Sequence, residues 1–95
     1  MIVGTLRVKL LLRDCHSLKE KRRVLKSLKD RLANGFNIAV AETDLQDVWQ
    51  SAELGIAAVG NETPFVDRVL ATVVERVRVE PGVYLVDYQT ETFGE

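Results

Sequence analysis

Cysteine is nearly absent from this chain of 95 residues. Cys15 stands alone, so no internal disulfide braces the fold, and a reducing, cytoplasmic compartment is the expectation. Proline is confined to Pro64 and Pro81, and no Pro-, Gly- or Ser-rich stretch reads as a linker or low-complexity segment. No apolar run approaches the roughly 18 residues of a membrane span, and the opening MIVGTLRVKLLLR lacks the apolar core and small-residue cleavage site of a signal peptide. No membrane association is expected. Histidine occurs once, as His16, and aromatics make up only 6% of the chain. His16 and the acids around it follow no metal-ligand spacing, so neither a cofactor nor a metal is expected.

What is present describes one ordinary globular domain spanning residues 1–95, with 46% hydrophobic and 28% charged residues. A chain of this size buries roughly 60–70% of its unfolded surface, enough for one modest core. Ile2 to Arg13 alternates, with Ile2, Leu6, Val8, Leu10 and Leu12 on one side. That is the period of a half-buried strand. Asp14-Cys15-His16 is a short loop. Ser17 followed by Glu20 is a capping box that opens a helix, and Leu18, Val24, Leu25, Leu28 and Leu32 form its apolar stripe. Asn34-Gly35 ends it, with Gly35 expected in the left-handed conformation of a helix terminus.

Phe36–Thr43 and Trp49–Val59 read as two further strands joined by a hairpin connection, residues 44–48. Thr63-Pro64 opens a second helix, Thr as cap and Pro at the first helical position, with the stripe Val66, Val69, Leu70, Val73 and Val77. Pro81-Gly82 is a turn, and Val83–Phe93 a fourth strand. The order β-α-β-β-α-β predicts an α+β, ferredoxin-like sandwich, a four-stranded antiparallel sheet with two helices on one face. The first and third strands are expected at the centre, parallel to each other. Ala52, Leu54, Ile56 and Ala58 form the core set of the third strand, which turns Trp49, Ser51, Glu53, Gly55, Ala57 and Val59 onto the open face. With Trp49 beside Val3 in that parallel pairing, Arg7 meets Glu53.

The open face separates two functions. An RNA-recognition sheet stacks bases on aromatics of its central strands. Here those positions hold Arg7, Lys9, Glu53 and Gly55. Val3, Leu11, Trp49 and Val59 around them fit a homo-oligomer associating through the open sheet face, as a homodimer.

Charge is distributed unevenly. The segment HSLKEKRRVLKSLKDRL, His16 to Leu32, holds seven of the thirteen Lys and Arg residues against two acids, in a chain whose net charge is −1. At 100° per residue, Lys19, Arg22, Arg23, Lys26 and Lys29 share an arc of about 120°. Each like-charged pair three or four apart costs roughly 0.2–0.5 kcal/mol, offset by Glu20–Arg23 and Lys26–Asp30. The first turns of a helix also disfavour cations, because the macrodipole is positive there. Such a helix is expected to meet an anionic partner, RNA or a ribosomal subunit, through Lys19, Lys21, Arg22, Arg23, Lys26 and Lys29. The alternatives are a solvated face, acids from the same fold such as Glu42, Asp44 or Asp47 laid against it, or an acidic protein partner on the basic helix of a homo-oligomeric interaction module.

Catalytic groupings are weak. His16 with nearby carboxylates has no ligand spacing, and Cys15 and His16, adjacent in an extended loop, point apart. No enzyme is expected.

Two motifs, His16-Ser17-Leu18-Lys19-x-Lys21-Arg22 and Ala41-Glu42-x-Asp44-x-x-Asp47-x-Trp49-Gln50, resemble the YlxP-like family of small bacterial proteins. The resemblance runs from Met1 through the second helix. It implies a ferredoxin-like fold, and a role linked to RNA or the ribosome, since members lie beside translation and ribosome-maturation genes, including that of ribosome-binding factor A. It carries over no catalytic residue and no cofactor. Its motif positions point to one cluster: His16, Lys19, Arg22 and Arg23 at the head of the first helix, with Glu42, Asp44, Asp47 and Trp49 as the facing group. Whether the two groups touch is left open by the sequence.

Overall fold

The alternation of Ile2, Leu6, Val8, Leu10 and Leu12 becomes the floor of the core in a computed structural model covering residues 1–95. The elements are β1 (Ile2–Leu11), α1 (Leu18–Gly35), β2 (Ile38–Asp44), β3 (Ser51–Gly60), α2 (Thr63–Arg78) and β4 (Tyr84–Gly94). They form one antiparallel sheet in the order β2-β3-β1-β4. Both helices cover the face where Ala52, Leu54, Ile56 and Ala58 join the even residues of β1. Leu25, Leu28 and Leu32 of α1 and Val66, Leu70, Val73, Val74 and Val77 of α2 close the core from above. The fold is the ferredoxin-like α+β sandwich that the element order predicts.

The central pair β1 and β3 runs antiparallel, not parallel. A helical crossover returns the chain in its original direction, so β1 and β2 point the same way. The tight β2–β3 hairpin then reverses it. Val3 therefore pairs with Val59, and Lys9 with Glu53. Trp49 lies at the opposite end of the sheet from Val3, before β3 begins. Arg7 still reaches Glu53, diagonally, with Nε 3.8 Å from Oε1. Arg7 is largely exposed, so the pair contributes at most about 1 kcal/mol.

Two helix ends differ from expectation. Gly35 is the last helical residue and has no positive φ; the cap is Phe36, whose N–H donates to Leu32 O at 3.0 Å. In α2 the cap position falls on Glu62, with no side-chain cap bond, and Thr63 is already helical. The Pro81-Gly82 turn forms as read, with Gly82 at φ 79° and Val83 N–H donating to Glu80 O at 3.3 Å. Glu80 is buried there and accepts from Arg31 Nη1 at 2.6 Å, tying the tail of α1 to the end of α2.

The glycines separate packing from conformation. Gly4 lies where α2 rests on β1, and a Cβ there would collide with Val66 Cγ1 and Leu70 Cδ1. A Cβ on Gly35 would meet nothing within 4 Å. Gly4→Ala is expected to destabilise by about 1–3 kcal/mol through overpacking, whereas Gly35→Ala should stabilise by about 0.5–1 kcal/mol through helix propensity. Urea denaturation of the two variants checks both signs.

Candidate nucleic-acid interface

The capping box closes at the head of α1. Ser17 Oγ accepts from Glu20 N–H at 3.2 Å, and Glu20 Oε2 accepts from His16 N–H at 2.7 Å. Glu20 is thereby directed at the backbone and makes no ion pair with Arg23, contrary to expectation. One backbone donor of the first turn, Glu20 N–H, is satisfied in this way, and the other bond goes to His16, which lies ahead of the cap, and not to Ser17 N–H.

Lys21 does not belong to the exposed face. It is 1% exposed, and its Nζ donates to Leu45 O and Val48 O, each at 2.6 Å. Glu42 Oε2 stands 2.9 Å from the same nitrogen. That carboxylate oxygen is buried and receives no well-directed hydrogen bond, so the contact is an ion pair. Lys21 is thus removed from the residues expected to touch a nucleic acid. It is a clamp: one buried ammonium grips both ends of the turn between β2 and β3. The helical period explains its burial, since Lys21 lies within about 20° of Leu28 and Leu32 on the wheel, in the middle of the leucine stripe.

The clamped turn is strained and well braced. Leu45 has φ 64°, a region that non-glycine residues seldom occupy and that costs about 1–3 kcal/mol. Asp44 Oδ1 accepts from Leu45 N–H at 2.8 Å, and Val48 N–H donates to Leu45 O at 3.0 Å. Beyond the turn, Gln50 O accepts from Leu12 N–H at 2.8 Å, joining the hairpin to the end of β1. Trp49 is therefore held between two anchored peptides. It remains 41% exposed and meets His16 edge to face, with ring centroids 6.2 Å apart and planes at 62°.

The two motifs thus touch through two pairs, Lys21 with Glu42 and His16 with Trp49. Asp44 serves its own turn, and Asp47 is exposed without a hydrogen bond or ion pair. Of the remaining cations, Lys26 pairs with Asp30 at 2.8 Å, and this hydrogen-bonded carboxylate raises the lysine's pKa. Lys19, Arg22, Arg23 and Lys29 have no ion-pair partner in the fold. No acid of β2 or of the turn lies against them. Cys15 is buried, and burial first, then Glu20 and Asp14, push its thiol pKa up. It is a packed apolar group and not an activated nucleophile.

The family described as "Protein of unknown function (DUF503)" matches residues 3–90. The chain belongs to this family. It is 34% identical over 92 residues to the uncharacterized protein YlxP of Bacillus subtilis (strain 168), covering 97% of this chain and 100% of that one. In fold it is similar to designed proteins. A ferredoxin-fold design, LFR1 1, superposes with TM-score 0.55 at 14% identity, over 100% of this chain and 88% of that one. A second designed protein, Foldit4, gives 0.54 at 10% identity, over 100% of this chain and 99% of that one.

Deleting the clamp isolates its contribution. Lys21→Met retains the aliphatic stem but leaves Glu42 and two carbonyls without their cation. It is expected to lower the unfolding free energy by about 3 kcal/mol and to open residues 45–48 to hydrogen exchange. Lys21→Arg should not rescue it, since a planar guanidinium cannot direct donors at three converging oxygens. Chemical denaturation and amide exchange measure the two effects.

Proposed function

We propose that this protein is a non-enzymatic accessory factor of the cytoplasm that binds RNA, alone or within a ribosomal assembly, through the exposed face of α1. The observation that carries the reading is the set Lys19, Arg22, Arg23 and Lys29, which the fold leaves without acidic partners. Lys26 joins them through a pair that is itself exposed. A helix selected only for stability would put acids in its first turns and break up like charges three and four apart. Five cations along one ridge suit a phosphate backbone, a polyanion of regular charge spacing.

Binding should weaken steeply with salt. Five phosphate contacts on a single strand correspond to a slope of log affinity against log salt of about −3.5. Replacing Arg22 and Arg23 with Ala should make the slope shallower by about 1.4, with the melting temperature raised by the relief of like-charge repulsion. Filter binding to ribosomal RNA over a range of salt concentrations measures both, and a slope that does not change in the variant would count against this face.

A second reading concerns association of the chain with itself, favoured by one row of the open sheet. Val59, Val3 and Phe93 are direct neighbours across three strands, and Val59 and Phe93 are about half exposed. Beside them, Ala39, Ala41, Gly55 and Ala57 leave a shallow hollow of about 400 Å³. Such a face fits a second copy. Light scattering should then return twice the monomer mass for the wild type and the monomer mass for Phe93→Ser.

A further inference from the structure

We propose that Trp49, with His16 at its edge, is a platform for one unstacked RNA base, so that the strand running along α1 is single-stranded. The inference rests on the RNA reading above and adds the kind of RNA and the place where a base is held.

The aromatic side chains are not equivalent. Tyr84 is covered by the guanidinium of Arg13 at 5.2 Å, Phe36 by Arg76 at 6.0 Å and Tyr88 by Arg78 at 5.7 Å. Phe93 lies beside Val3, where β1 starts, and Phe65 beside Gly60 at the same end of the sheet. Trp49 alone combines an exposed indole, no covering cation and a position at the head of the basic helix. Its neighbour, His16, immediately precedes the cap of α1, and Lys19, Arg22 and Arg23 follow within two turns.

The platform is also preformed. Lys21 fixes the carbonyls of Leu45 and Val48 on one side of Trp49, and Leu12 fixes that of Gln50 on the other. A buried ammonium and a left-handed leucine are maintained here, and strain of this kind collects at functional sites. With its backbone anchored on both sides and His16 at its edge, the ring has less freedom to lose when a base stacks on it. Asp44 and Asp47, on the same turn, repel phosphates and leave the α1 side as the route for the backbone. Duplex RNA offers no free base face, so this arrangement discriminates against it.

Trp49 is the only tryptophan, so intrinsic fluorescence reports on this position alone. The full chain is titrated with a short fluorescently labelled single-stranded RNA of mixed sequence and with the corresponding duplex. Label anisotropy follows binding and tryptophan emission follows stacking. The expected result is saturable quenching that tracks binding of the single strand, no quenching by the duplex, and single-strand binding about tenfold weaker in Trp49→Leu but nearly retained in Trp49→Phe. Binding of the single strand without quenching overturns the platform and leaves the basic-face reading standing. Absence of binding to either RNA overturns both and leaves a protein as the partner of α1. Because quenching is read on the wild type, the outcome does not depend on how well a variant folds.

Discussion

The ammonium of Lys21 has three protons and, once out of water, no partners other than those the fold supplies. They come from one hairpin: two backbone carbonyls of its turn and the carboxylate of Glu42 on β2. The constraint acts in both directions. The helix buries its leucine stripe around Lys21 against the docked turn, and the ammonium holds the turn's left-handed leucine together with Asp44 and Val48. An apolar side chain would pack at this position with less difficulty, because desolvating a charge is expensive even when it is paired. What the lysine provides is direction, since it sets where the turn sits and therefore where His16 and Trp49 meet.

The same helix divides its charge between two environments. Lys21 faces inward and is neutralised within the chain. The cations on the opposite arc face outward and, apart from Lys26, are not. An isolated peptide of this sequence would suffer both the repulsion along the ridge and the unfavourable macrodipole, so the helical state depends on packing by Leu25, Leu28 and Leu32. The capping box offsets part of this by satisfying the N–H groups of His16 and Glu20.

Much of the fold was legible because its signals are periodic. The alternation in β1 and β3, the leucine stripe and the Pro-Gly turn each have a mechanism that acts over a few residues. The antiparallel relation of β1 and β3 was also implicit, since a hairpin reverses direction and a helical crossover does not. Lys21 could have been recognised from the wheel, being seven residues before Leu28 and eleven before Leu32. Its partners could not, because two of them are carbonyls and any residue supplies a carbonyl. Glu53 was hidden for another reason. It stands on the open face yet is only 7% exposed, covered by Arg7 and by Thr43, whose Oγ1 donates to it at 2.8 Å. Strand alternation tells which way a side chain points, not what neighbouring strands lay over it. The contact of His16 with Trp49 likewise joins positions far apart in sequence, through a loop whose conformation local propensity does not determine.

The residues that meet at the clamp are separated by 24 and 27 positions along the chain. While a nascent helix lacks the hairpin, Lys21 remains hydrated in the middle of an otherwise greasy stripe. Docking of the hairpin therefore strips the water from that one amine. A chain whose first helix had formed before the hairpin docked would carry the ridge of cations without the Trp49 ring set beside it.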